Sequence, residues 1–270
     1  MLFRSTVLMG LVFLLSLALV RSPALGGSLV KVAEGLSAPV GMAFDSKGYL
    51  YIANWSARRI DRLKPGGSLK TYLKGIPSPS GLALDKQDRL YVATYSGGEI
   101  LRFDLSRKPE VFLSGLSVVA GLYFDWQGNL LVAERGKSRV LSVSPDGKSR
   151  VLADQGMSTP VAAIQTGGSS YVIADITGSV LHFDARTKRM KIISNTLRSP
   201  AVGLVLDPKG QDAVYAVDYG GKGVYRITLD DGQTRMIESS LISPVGLAMD
   251  KKGMLYVGTW SDNCLYRLAP

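Results

Sequence analysis

Apolar residues in this chain gather in runs of four to six, set between clusters of Gly, Asp and Pro. Such runs, rich in β-branched, aromatic and aliphatic side chains, are strand signals, and no stretch after residue 25 carries a helical period. One kind of run is Pro39-Val40-Gly41-Met42-Ala43-Phe44-Asp45, echoed by Pro79 to Asp85 and Pro244 to Asp250. A turn follows, Asp45-Ser46-Lys47-Gly48, with counterparts Asp125 to Gly128 and Asp250 to Gly253. Asp first and Gly fourth suits a type I turn, because the carboxylate accepts from nearby backbone amides and glycine tolerates the exit geometry. A second run is Leu50-Tyr51-Ile52-Ala53, matched by Leu90 to Ala93, Leu130 to Ala133 and Leu255 to Gly258. A third is Arg59 to Leu63, matched by Glu99 to Phe103, Arg139 to Val143, Ser179 to Phe183, Gly223 to Ile227 and Cys264 to Leu268. Polar turns such as Pro65-Gly66-Gly67 lead to a fourth, Lys70 to Leu73 or Glu110 to Leu113.

The glycine of the first run, or its stand-in, recurs at positions 41, 81, 121, 162 (an alanine), 203 and 246, a period of 40 to 43 residues. A fixed period in that range marks a solenoid, a propeller or an array. Four antiparallel strands in each of six units predict an all-β fold, a six-bladed β-propeller. The chain ends favour a closed ring over an open solenoid. Ser28 to Leu36 matches the fourth strand that precedes every later repeat, while the chain stops after a third strand, Cys264 to Leu268. The N-terminal strand is therefore expected to complete the last blade and hide edges that would invite aggregation.

Composition changes this picture little. A chain of 270 residues with 46% hydrophobic content suits one long all-β domain, residues 28–270, and no linker or low-complexity tract divides it. Residues 1–27 differ. A basic start at Arg4, an apolar run from Val7 to Val20 and small residues around Arg21-Ser22-Pro23-Ala24 form a secretory signal pattern. The apolar run is short for a membrane span, and a retained anchor is the alternative to cleavage. No cysteine lies near the cut, which excludes a lipoprotein. Cys264, the one cysteine, can form no internal disulfide and reads as a small core residue. A periplasmic or extracellular monomer is expected.

The pattern Pro-x-Gly-[Leu/Met]-x-hydrophobic-Asp, then Gly-x-Leu-Tyr-[Val/Ile]-Ala, then Arg-Ile-x-Arg-Leu resembles that of NHL-repeat propellers. It is also similar to the related gluconolactonase-like and streptogramin-lyase-like propellers. The resemblance spans Leu29 to Leu268. It implies that first strands line the axis, and that their starts share a functional face with the ends of the second strands. An innermost ring would then be Val40, Ser80, Ala120, Val161, Val202 and Val245. A next ring would comprise Asn54, Thr94, Glu134, Asp175, Asp218 and Thr259, followed by Trp55, Tyr95, Arg135, Ile176, Tyr219 and Trp260.

Gluconolactonase-like enzymes hold a divalent cation in the innermost ring, where this chain places five apolar residues and one serine. Calcium takes about six to eight oxygen ligands, and Val and Ala supply none. Asn54, Glu134, Asp175 and Asp218 are the remaining candidate ligands for a calcium-dependent hydrolase or lactonase. Neighbouring Arg135 would otherwise temper the charge of Glu134. The lone His182 falls on a third strand far from the axis, so the channel histidine on which lyase-type propellers rely has no counterpart. No phosphate loop, nucleophile elbow or Cys/His metal spacing occurs. Trp55, Tyr95, Tyr219 and Trp260 in equivalent loops could floor a pocket for an apolar, cationic or sugar-like ligand, with the adjacent carboxylates favouring a cation. Net charge is +10, and about +8 without Arg4 and Arg21. The excess maps to outer strands and rim turns, where it guards sheet edges or contacts an anionic surface. The export signal argues against nucleic acid. The residues thus point to an exported propeller that binds a small molecule or protein at the channel mouth and needs no cofactor, with a metal-dependent lactonase as the alternative.

Overall fold

A computed structural model describes residues 28–270, so the export signal read from residues 1–27 lies outside the described residues. The described chain forms six four-stranded antiparallel sheets arranged as the blades of a propeller. In blade 1 the strands run Pro39–Phe44, Leu50–Asn54, Arg59–Leu63 and Leu69–Lys74, from axis to rim. Blade 6 is built from Pro244–Met249, Leu255–Thr259 and Leu265–Leu268, and its outermost strand is the N-terminal Val30–Ala33. Val30 pairs with Arg267 and Lys31 with Tyr266, so the ring closes as the split repeat predicted. Leu36, buried just after this strand, packs with Met42, Leu50, Ile52, Leu63, Ala248 and Leu265 across the seam between blades 6 and 1. Among the described residues the only helical element is one short 3-10 turn, Arg135–Lys137.

The repeated aspartates are turn formers. Asp45 Oδ1 accepts from the amides of Lys47 and Tyr49, and Asp250 Oδ1 repeats this with Lys252 and Met254. The repeated glycines have a different cause. A Cβ at Gly41 would lie 2.1 Å from the carbonyl oxygen of Ser80, and one at Gly246 would lie 2.3 Å from that of Val40. At Gly41, Gly81, Gly121 and Gly246 the first strand thus meets the backbone of its neighbour so closely that a side chain cannot enter, whereas blade 4 carries Ala162 at this level. Replacing Gly41 with Ala should destabilise the fold by about 3 kcal/mol, the upper range of overpacking costs. Thermal melting of Gly41→Ala measures it, and an unchanged melting temperature would mean that the blades stand further apart.

Each first strand carries a bulge near its start. In blade 1 the pairing jumps from Pro39 opposite Asn54 to Met42 opposite Ile52, leaving one extra residue around Val40 and Gly41. Bulges re-aim side chains, and here they turn the residue before each glycine toward the axis. Blade 5 has two extra residues, because pairing passes from Pro200 opposite Asp218 directly to Leu204 opposite Ala216. That additional residue brings Ala201 as well as Val202 to the channel mouth.

Candidate functional site

Two cavities lie on the axis and share Val40 and Val202 as walls. One, of about 340 Å³, occupies the end where first strands finish, lined by residues such as Phe44, Leu84, Phe124 and Met249. The other, of about 270 Å³, opens at the face where first strands begin and second strands end. Its base is Val40, Ser80, Ala120, Val161, Val202 and Val245, the ring anticipated from repeat register. The single serine does not face the cavity with a free hydroxyl, because Ser80 Oγ donates to the carbonyl of Val119 at 2.8 Å. The walls are Trp55, Tyr95, Arg135, Ile176, Tyr219 and Trp260.

These six wall residues are set by one repeated hydrogen bond. The amides of Trp55, Tyr95, Arg135, Ile176, Tyr219 and Trp260 donate to the carbonyls of Ala38, Ser78, Val118, Thr159, Ser199 and Ser243, at 3.0 to 3.2 Å. Four of those acceptor residues, Ala38, Ser78, Val118 and Ser243, adopt left-handed backbone with φ between +40° and +54°. In Val118 this conformation is strained, since β-branched residues rarely occupy it. The entry to the first strand is thereby bent so that the hairpin after the second strand of the same blade docks on it.

The aromatic rings form a continuous arc. Tyr219 meets Trp260 at 5.9 Å between centroids, Trp260 meets Trp55 at 6.5 Å, and Trp55 meets Tyr95 at 4.4 Å. Trp55 and Trp260 belong to blades 1 and 6, so the arc crosses the closure seam. Trp260 Nε1 also donates to the carbonyl of Pro39 at 2.8 Å across that seam. At the far end of the arc Arg135 Nη1 donates to the Tyr95 hydroxyl at 2.8 Å, with the guanidinium 5.7 Å from the Tyr95 ring centroid.

Asn54, Glu134, Asp175 and Asp218 do not reach the cavity. All are at most 1% exposed, and each is committed to a blade-connecting loop. Asn54 Oδ1 accepts from the Ser37 amide, and Glu134 Oε1 from the Ser117 amide, both at 2.8 Å. Asp218 accepts from the amides of Arg198 and Ser199, again at 2.8 Å. Asp175 accepts from the amides of Ser158, Thr159 and Thr177 and from the Thr177 hydroxyl. These side chains are latches that hold the loops on which the wall residues dock. Glu134 is neutralised by Arg139 at 2.6 Å and Lys137 at 3.4 Å rather than by Arg135. The expectation that carboxylates flank the aromatics and favour a cation is therefore corrected: Arg135 is the one charged side chain lining the mouth cavity.

The same commitment bears on metal binding. Among the described residues no three His, Cys, Asp or Glu side chains converge on a point that could hold an ion. Asn54, Glu134, Asp175 and Asp218 come from different blades and already accept from amides, so they do not fit a shared divalent cation. His182 lies on an outer strand, Val180–Asp184, and contacts Ser170 Oγ at 2.5 Å, away from both axial cavities. Cys264 is buried, as its sequence context suggested.

The Asp175 latch has a pH signature. Burial pushes its carboxyl up, but the amides of Thr177, Thr159 and Ser158 and the Thr177 hydroxyl outweigh burial and hold it below its ordinary value. A depressed carboxyl stabilises the fold fully above its unfolded pKa of about 3.9, and this contribution is lost as pH falls from there through the folded value. Melting temperature should accordingly drop as pH falls below about 4. Asp175→Asn should melt earlier at pH 7, by about 1–3 kcal/mol for unsatisfied buried donors, and show a shallower acid drop. An acid profile parallel to wild type would show that this carboxylate is not the latch.

No family model and no curated protein matches the chain. Solved structures do. A gluconolactonase from Xanthomonas campestris superposes with a TM-score of 0.78 at 18% identity, covering 89% of each chain. A streptogramin B lyase gives 0.69 at 12% identity over 92% of this chain and 99% of that one. A chain of a nidogen–laminin complex gives 0.69 at 21% identity over 78% and 86%. The protein is thus a six-bladed propeller with gluconolactonase-like and streptogramin-lyase-like neighbours. At these identities the likeness is one of fold, which hosts enzymes and binding modules alike.

Proposed function

We propose that this chain is an exported, non-catalytic binding module whose mouth cavity takes a small, mostly apolar molecule. The observation that supports this reading most is the arc Tyr219–Trp260–Trp55–Tyr95 lining a cavity of about 270 Å³. Rigid aromatic walls give contact area at low entropic cost, as in most small-molecule sites. Pockets for drug-sized ligands run from roughly 300 to 1,000 Å³, so the occupant is smaller than a drug. Export rests on the pattern of residues 1–27.

Two of the three tryptophans, Trp55 and Trp260, line the cavity, so their emission reports occupancy. Titration of the protein with neutral 3-phenylpropan-1-ol or octan-1-ol should change that emission saturably. A linear, non-saturating response to both would sink the reading.

The alternative, a metal-dependent hydrolase or lactonase, draws on fold likeness to the Xanthomonas gluconolactonase. It is told apart by calcium titration of chelator-treated protein. A saturable site would raise stability by about 2.7 kcal/mol at a hundred times its dissociation constant. The binding-module reading expects no such rise. The lyase reading draws on fold alone too: a catalytically inactive histidine-to-alanine variant of virginiamycin B lyase is among the neighbours, and here the one histidine is on an outer strand.

A further inference from the structure

Arg135 is out of keeping with the rest of its cavity. Every other wall and base residue is apolar, aromatic or a small hydroxyl or proline residue. Among the described residues its guanidinium makes no ion pair, because the adjacent Glu134 is taken by Arg139 and Lys137. Nη1 is fixed on the Tyr95 hydroxyl, and Nε is buried with no hydrogen-bond partner. A buried N–H without an acceptor on a cation is unfavourable unless something supplies both the acceptor and the charge.

The backbone argues that this placement is built rather than incidental. Arg135 begins the one 3-10 turn among the described residues, and its amide is held by the strained Val118. The main chain thus fixes where the side chain starts, and the Tyr95 hydroxyl holds its guanidinium end.

Charge on the hairpins around the mouth leans the same way. The six hairpins between second and third strands, which rim the mouth, carry Arg58, Arg135, Lys137 and Lys222 against a single acid, Asp262. Asp262 is engaged by the Thr259 and Tyr266 hydroxyls. The loops that lead into the first strands add exposed Arg198 against exposed Glu34 and Asp154, so cations keep a modest excess on this face. A concave mouth with a net positive excess favours anionic ligands.

We propose that the ligand of the mouth cavity is a small amphiphilic monocarboxylate. Its aryl or alkyl body lies on the Trp55–Trp260 arc, and its carboxylate pairs with Arg135. This deepens the cavity reading above and rests on it. A carboxylate supplies what Arg135 lacks, a counter-charge and acceptor oxygens, and arginine's planar fork suits it. One charged group suffices, because Arg135 is the one charged side chain that lines the cavity.

The test uses two isosteric pairs on the full-length protein: 3-phenylpropanoate against 3-phenylpropan-1-ol, and octanoate against octan-1-ol. Dissociation constants come from tryptophan emission and are checked by calorimetry at neutral pH. In at least one pair the carboxylate should bind about 10- to 100-fold tighter than the alcohol, the range that a hydrogen bond to a charged group spans. In Arg135→Gln the ratio of carboxylate to alcohol affinity should fall to about one, whatever the change in alcohol affinity itself, and saturable alcohol binding shows that the cavity is still formed. Arg135→Lys should retain part of the preference. If alcohols and carboxylates bind wild type equally, the carboxylate proposal falls and the apolar cavity stands. If no compound binds, the cavity reading falls and takes this one with it. A preference that survives in Arg135→Gln would assign it to the general basic field and overturn the role of Arg135. The wild-type comparison is decisive even if the variants fold poorly.

Discussion

Deleting residues 28–36 should lower the melting temperature of the propeller by about 10–20 °C, which corresponds to about 5 kcal/mol in a domain of this size. The segment contributes the outermost strand of blade 6, Val30–Ala33, and the buried Leu36 behind it. Loss of a buried leucine alone typically costs about 2–5 kcal/mol. Val32 and Ala33 pack against the same cluster and add to that. The backbone of Leu265–Leu268 would also lose its partner and become an open edge, ready to pair with another molecule. Leu36 further ties its amide to Asn263, and the Ala38 amide is held by Asn263 Oδ1, so the two ends of the ring are joined at the mouth as well. The measurement is thermal melting with light scattering, because the opened edge should aggregate. A deletion variant that melts with wild type and stays monomeric would mean that the ring does not depend on its seam.

That seam was legible in the sequence because a repeat was split, and a split repeat has few explanations. The six-fold register was legible for the same reason. Aligning the repeats put Trp55, Tyr95, Arg135, Ile176, Tyr219 and Trp260 at one level, and they share one cavity wall. The adjacent positions were misjudged. The second strands end at Asn54 and Glu134, and Trp55 and Arg135 open the hairpins that follow, so the two levels point differently. The capture of Asn54, Glu134, Asp175 and Asp218 by loop amides is a tertiary contact that the repeat register does not show. Hairpin pairing places Arg139 opposite Glu134, and it would have removed Arg135 from the role of partner to that carboxylate. The extra residue in Pro200-Ala201-Val202-Gly203 was also visible, as one more step before the glycine than in Pro39-Val40-Gly41. What could not be read was the orphaned Arg135 Nε, since a missing partner is a property of three-dimensional packing.

Trp55→Ala and Trp260→Ala should both weaken ligand binding, by about 2 kcal/mol or more and hence roughly 30-fold, as truncation of an aromatic anchor does. Their effects on stability should differ. Trp55 sits mid-arc with Tyr95 on one side and Trp260 on the other. Its removal costs ring contacts, each worth about 0.5–1.5 kcal/mol, but breaks no hydrogen bond of its side chain. Trp260 is 36% exposed, yet its indole N–H bridges to the carbonyl of Pro39 in blade 1. Trp260→Ala therefore removes contacts with Trp55 and Tyr219 together with an inter-blade hydrogen bond of about 1 kcal/mol. It should melt earlier than Trp55→Ala. Trp260→Phe separates the two contributions: it keeps a ring against the cavity and loses the N–H, so it should recover most of the binding but only part of the stability. Melting curves and the titration with 3-phenylpropan-1-ol, followed by calorimetry because a reporting tryptophan is lost, give both quantities for each variant. Truncation in a packed core costs about 3–5 kcal/mol in stability. If both alanine variants lose that much and still bind the alcohol normally, the arc is inter-blade packing and the cavity is not a binding site. The exposed basic face around Arg58, Lys137, Arg198 and Lys222 then becomes the functional surface to test.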